Sequence, residues 1–171
     1  MLRNLAVIAV VLVAPMAAPP PVGAETKDQT DPPGDEIFPG HDVLRVRYAN
    51  RTGAISATTW VSELHANDQI GISMTTREAN VFNYLASVKL RPSGVRARVF
   101  KVDLTNGLHL TLVCVAHARW DTSDDKVTVR AKDACFQGSD LSRVLLSTDL
   151  GVRGKNNVSD LAGGLKVRRD Q

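Results

Sequence analysis

Several residues in this 171-residue chain are of types that could do chemistry, and their spacing decides what each could do. Cys114 and Cys135 are its two cysteines, and they flank the acidic segment Asp121-Thr-Ser-Asp-Asp125. A pair placed around a turn reads as a clasp across a hairpin, and the absence of a Cys-x-x-Cys spacing argues against redox catalysis. The four histidines, His41, His65, His109 and His117, fall in no His-Glu-x-x-His or Cys-x-x-Cys zinc pattern, so each reads as a surface or strand-edge residue. His109 and His117 share a strand face but stand about 26 Å apart at roughly 3.3 Å per residue, too far to bind one ion. Glu63 and Glu78 could each approach another carboxylate in space to make the pair that a glycoside hydrolase needs, a geometry that only the fold can supply. No Gly-x-Ser-x-Gly elbow exists to nominate a serine nucleophile. Asp121, Asp124 and Asp125 lack the alternating oxygen ligands and central glycine of an EF-hand loop and read as a polar hairpin tip. The expectation is therefore of no catalytic, cofactor-binding or metal-binding residue.

Trp60, Trp120, Tyr48 and Tyr84 could form an aromatic platform for a sugar, but the core draws on the same few aromatic residues. Trp60 lies on the polar phase of its strand and is the one candidate ligand contact. Trp120 is expected to pack in the core.

The compartment follows from the first 24 residues. A basic start at Arg3, an apolar run from Leu5 to Val13 and small residues at Val22-Gly-Ala24 match a secretory signal peptide cleaved before Glu25. The apolar run is shorter than the roughly 20 residues a spanning helix needs, and prolines follow at once, so no membrane span is expected. Without residues 1–24, whose one charged residue is Arg3, the formal charge falls from +3 to +2. Charges of both signs are interspersed and no basic tract is interleaved with aromatics, which argues against nucleic acid as a partner. The sequons at Asn50 and Asn157 are discounted because the signal has a bacterial character.

These residues must be positioned by strands. Short stretches alternate apolar and polar residues with period two between turn signals. They place Leu44, Val46 and Tyr48 on one face, then Ile55, Ala57, Thr59 and Val61, then Ile70, Ile72 and Met74, then Phe82 to Leu90. Between Val95–Leu104 and Leu108–Trp120, a three-residue Thr105-Asn106-Gly107 loop matches Val102 with Leu110 and Phe100 with Leu112. That loop sets Gly107 at the left-handed position it requires. The opposite phase of Val95, Ala97 and Val99 then calls for a bulge near Arg98. For the next hairpin, a Ser123–Lys126 loop pairs Trp120 with Val129 and sets Cys114 directly opposite Cys135, which makes a disulfide plausible in an exported protein. Asp133 then falls on the apolar side, a flaw that a bulge near Lys132 would repair. Leu141 to Leu150 reads as the last strand.

The opening strand Asp42-Val-Leu-Arg-Val-Arg-Tyr-Ala-Asn50 and the late pattern Cys114…Arg119-Trp-Asp121…Lys126-Val-Thr-Val-Arg130…Cys135 resemble those of small exported bacterial single-disulfide proteins of uncharacterised function. The resemblance covers residues 42–148, implies an antiparallel β-sandwich and transfers no functional residue. The full expectation is a signal peptide (1–24), a flexible acidic, proline-rich linker (25–41), one all-β antiparallel sandwich of seven to eight strands (42–150) and a flexible basic tail (151–171). Such a protein would be secreted, monomeric and non-catalytic, a module binding an extracellular or cell-surface protein or glycan. The alternative is a small secreted hydrolase whose carboxylates converge only in the fold.

Overall fold

The computed structural model describes residues 25–35, 40–79, 81–152 and 158–169, so the expected signal peptide lies outside the described residues. Ten strands form one antiparallel sheet: β1 (Glu25–Thr30), β2 (Val43–Arg51), β3 (Ala54–Val61), β4 (Asp68–Thr75), β5 (Tyr84–Arg91), β6 (Gly94–Asp103), β7 (His109–Asp121), β8 (Lys126–Lys132), β9 (Arg143–Val152) and β10 (Val158–Arg168). Their order is β1-β2-β3-β8-β7-β6-β5-β4-β9-β10, and the sheet rolls into a nearly closed barrel. A 3-10 turn at Asp133–Phe136 follows β8.

All-β antiparallel architecture agrees with the sequence, whereas the sandwich and the strand count do not. The eight expected strands are present as β2 to β9. The two additional ones lie in the segments expected to be linker and tail, and they extend the sheet at both ends until those ends meet. β1 pairs residue for residue with β2, and β10 pairs with β9 through two register shifts. The meeting is made by side chains rather than by a ladder. Lys27 Nζ donates to Lys166 O at 2.6 Å, Glu25 accepts the Arg168 N–H, Asp160 accepts the Val43 N–H, and the Asn50 amide donates to Val167 O. These contacts set the two outer edges against each other, which hinders chain-to-chain pairing there.

The interior is filled. Val46, Tyr48, Ile70, Val88, Val99, Val127, Val144, Leu146 and Leu150 are wholly enclosed, and the Tyr48 hydroxyl donates to Thr148 Oγ1 across the barrel at 2.9 Å. Burial pushes the Tyr48 phenol up to about 12. The alternation expected of β2 breaks at its start: a register shift between Val43 and Arg45 sends Val43 inward and leaves Leu44 exposed.

The β6–β7 hairpin has the expected register, with Val102 opposite Leu110 and Phe100 opposite Leu112, and Gly107 has φ 104°. The expected bulge lies between Val99 and Phe100, so that Val99 rather than Arg98 faces Cys114. The β7–β8 hairpin differs from expectation by two residues. Asp121 pairs with Lys126 and Trp120 with Val127, not Val129. A shift of two keeps every side chain on its face, so the apolar pattern alone cannot detect it. Cys114 and Cys135 are nonetheless bonded, with Cα atoms 5.4 Å apart. Cys135 reaches its partner from the 3-10 turn rather than from a strand, and Asp133, the flaw in the expected register, opens that turn.

Candidate functional site

Antiparallel strands sort the connections between two ends of the barrel. At one end the loop before β2, the β3–β4 crossover and the β7–β8 tip are tied together: Ser62 N–H donates to Asp42 O at 2.8 Å and Val61 N–H to Asp125 O at 3.0 Å. At the other end lie the β2–β3 turn, the β6–β7 tip and the β8–β9 connection, where Asp133 N–H donates to Gly53 O at 3.2 Å.

The first end is polar. Asp125, in the left-handed region at φ 44°, accepts the Leu64 N–H on Oδ1 at 3.0 Å and so fixes the crossover loop that carries Glu63 and His65. Asp121 accepts from both Ser123 N–H and Ser123 Oγ, so the acidic tip satisfies itself as a hairpin cap does. His65 meets His41 with ring centroids 4.7 Å apart. Asp68, with a fully enclosed side chain, lies between them: its Oδ1 is 2.9 Å from His41 Nδ1 and its Oδ2 is 3.6 Å from His65 Nδ1. Glu63 stands 3.3 Å from His65 Nε2. Two of the four histidines expected to be isolated are therefore a contacting pair around a buried carboxylate. His109 and His117 are exposed on β7.

Beside this group, Asp31, Asp35 and Asp160 bring carboxylate oxygens within 4.8 Å of one another. Desolvation, with the neighbouring charges of Asp160, Asp35 and Asp42, raises Asp31 to about 6. Asp160 is raised by desolvation, in part offset by the N–H groups of Val43 and Leu161.

The second end carries an apolar hairpin beside the Arg169–Asp133 and Arg77–Asp140 ion pairs. Leu104, Leu108, Leu110, Leu112, Val113 and Val115 are all exposed, Val115 at 73% and Leu108 at 64%. Exposure of consecutive residues from His109 to Val113 means that both faces of the ribbon are open, because a strand alternates its side chains. β8 accompanies β7 only from His117 to Asp121. From His109 to Val113, β7 has β6 on one side and, among the described residues, no strand on the other. Where β8 leaves it, a groove of about 840 Å³ opens, lined by Val113, Val115, Ala116 and the disulfide, with His117, Arg130 and Lys132 beside them.

Trp60 is half-buried on the outer surface near the polar end. The guanidinium groups of Arg45 and Arg47 lie 5.0 and 5.8 Å from its ring centroid, and Asp28 on β1 holds both of them. The other aromatic residues do not join it. Tyr48 is enclosed, Tyr84 packs edge-on against Phe136 at 5.1 Å, and Trp120 packs on the core. Glu63 and Glu78 stand apart: Glu63 belongs to the polar end, whereas Glu78 accepts the Asp140 N–H at the other. An enclosed apolar cavity of about 30 Å³ lies in the core, lined by Ile72, Met74, Tyr84, Phe136 and neighbours, room for little more than one water. Among the described residues no helix is long and apolar enough to cross a membrane.

Sequence reasoning passed over the His41, His65 and Asp68 group because its members come from two loops. One signal was present: Glu63-Leu-His65-Ala-Asn-Asp68 holds three potential ligands within six residues. No protein-family model matches the chain, and no curated protein is significantly similar to it.

Proposed function

We propose that this is an exported, non-catalytic binding module that takes up an extended peptide segment of an extracellular protein by strand addition at the open edge of β7. The observation that carries this reading is the stretch from His109 to Val113, an unaccompanied strand edge bearing exposed aliphatic side chains. An extended segment laid along such an edge gains main-chain hydrogen bonds, while alternate side-chain contacts give selectivity. The groove continues the edge past the disulfide. Its lining includes His117, Arg130 and Lys132 and no carboxylate, so it favours a segment with acidic residues among its apolar ones.

Export is inferred from residues 1–24 and is compatible with the disulfide, since such bonds persist in oxidising compartments. The glycan reading is weaker, because the stacking surface of Trp60 is shared by two arginines already held by Asp28. The hydrolase alternative draws less support, because Glu63 faces His65 and Glu78 accepts the Asp140 N–H. The filled interior likewise argues against a carrier of small molecules inside the barrel.

Selection of a displayed random-decapeptide library on the disulfide-bonded protein tests the reading. Enriched peptides should alternate aliphatic and other residues, carry acids, and lose binding at least about tenfold to Val113→Lys, a charge of the kind that protects natural sheet edges. Absence of enrichment, or enriched peptides indifferent to Val113→Lys and Leu110→Lys, would refute it.

A further inference from the structure

The polar end carries a second inference, independent of the strand edge. We propose that His41, His65 and Asp68 form a binding site for a divalent transition cation of the zinc class. One ligand atom from each of the three lies within 4.8 Å of the others. Asp68 Oδ1 and His65 Nδ1 are both buried and neither makes a well-directed hydrogen bond among the described residues, although Asp68 Oδ1 stands 2.9 Å from His41 Nδ1. A buried polar atom without a well-directed hydrogen bond costs free energy, and here two such atoms converge on the same small volume.

The separations suit a metal shell. Ligand atoms at zinc bond lengths near 2.0–2.2 Å in a tetrahedron stand about 3.3 Å apart. Asp68 Oδ1 lies 2.9 Å from His41 Nδ1 and its other oxygen, Oδ2, 3.6 Å from His65 Nδ1, so the one carboxylate reaches both rings at separations of that order. Small rotations of the two rings would bring both nitrogens onto one ion, with no change in the backbone.

The surroundings are those of a supported site. Asp68 Oδ2 accepts the His65 main-chain N–H at 2.8 Å, which sets the carboxylate plane and turns Oδ1 toward His41. Glu63 faces His65 Nε2 at 3.3 Å, so it can accept a hydrogen bond from Nε2–H and leave the unprotonated Nδ1 as the ligand. A carboxylate behind a ligating imidazole is the usual way proteins fix ring orientation and raise ligand basicity. Asp125, through Leu64, ties down the loop on which Glu63 and His65 stand. Two imidazoles and one carboxylate select a borderline cation such as zinc over calcium, which prefers an all-oxygen shell. Three protein ligands leave a fourth position for water or for a group from a bound partner.

The competing account is a plain buried His–Asp ion pair, and zinc titration separates the two. The oxidised chain from Glu25 onward, without a histidine tag, is titrated with zinc chloride by calorimetry at pH 7.5, with cobalt(II) absorption as a coordination readout. One zinc per chain is expected, with His41→Ala and His65→Ala each weakening it by about 100-fold or more. Glu63→Gln should weaken it by about tenfold. His109→Ala, on the opposite end, should leave it unchanged. His65→Ala alters a partly exposed loop side chain and keeps the test valid if Asp68→Asn fails to fold. Failure to bind zinc, or equal binding by wild type, His41→Ala and His65→Ala, would overturn the proposal.

Discussion

The two ends of the barrel handle unsatisfied groups in opposite ways. At the polar end three connections are laced together by main-chain and carboxylate hydrogen bonds, and charge is crowded inside that lacing. At the apolar end a hairpin stands out from the core with aliphatic residues on both faces and a strand edge without a neighbour. The sheet closes on itself between β1, β2 and β10 yet leaves part of β7 open. The exposed aliphatic residues single out the His109–Val113 edge as the one suited to take up another chain.

The disulfide holds that place in shape, so removing it should have the largest effect. Replacing both cysteines by serine should lower unfolding stability by about 3 kcal/mol, as expected for a closed loop of some twenty residues, with the loss read by denaturant titration. Loss of peptide binding together with this change would show that the bond shapes the groove as well as the fold. At the other end Asp125→Gly keeps a left-handed backbone but removes the acceptor for Leu64 N–H. It should cost about 1 kcal/mol by the same titration and leave peptide binding intact.

Asp31 offers a smaller effect with a definite sign. Its carboxyl is raised from 3.8 to about 6 in the folded chain, so it binds a proton more readily folded than unfolded. The stability it contributes is present below about pH 4 and is lost as pH rises through 6. Asp31→Asn should therefore raise Tm by a few degrees at pH 7.5, a modest figure because solvent screens the site, and should give no gain at pH 3.5. An equal gain at both pH values would contradict charge crowding at the polar end. Smallest of all, Val113→Lys should change stability by about 0.5 kcal/mol or less, since the side chain is exposed, while it abolishes binding at the edge.

Much of this molecule was legible before its structure. Strands β2 to β9 declared themselves through alternation and turn residues, and the Thr105-Asn106-Gly107 loop fixed one register because a wrong loop length would have put Asp103 opposite Leu110. The next register went wrong for a physical reason: apolar matching fixes the phase of a strand but not a slip of two, and the cysteines were counted as if both stood on strands. β1 was invisible because Glu25-Thr-Lys-Asp-Gln-Thr30 has no apolar residue to betray a face; it is held by its ladder with β2 and by Asp28 bridging Arg45 and Arg47. β10 was hidden by Gly163-Gly164 and by two register shifts that break its period. Both sites shared this difficulty. The histidine–aspartate group joins residues 24 to 27 positions apart, and the open edge exists only because β8 ends before β7 does.

The central claim is that β7, from His109 to Val113, is paired with β6 on one side and open on the side that β8 leaves. Residue-resolved amide hydrogen exchange of the free, oxidised protein tests it most directly. Alternate amides of this stretch, those directed away from β6, should exchange within the time of solvent-exposed loops, while the amides between them, directed at β6, stay protected by that ladder. Uniform protection along the whole of β7 would show that the edge is covered, and the binding surface proposed for it would not exist.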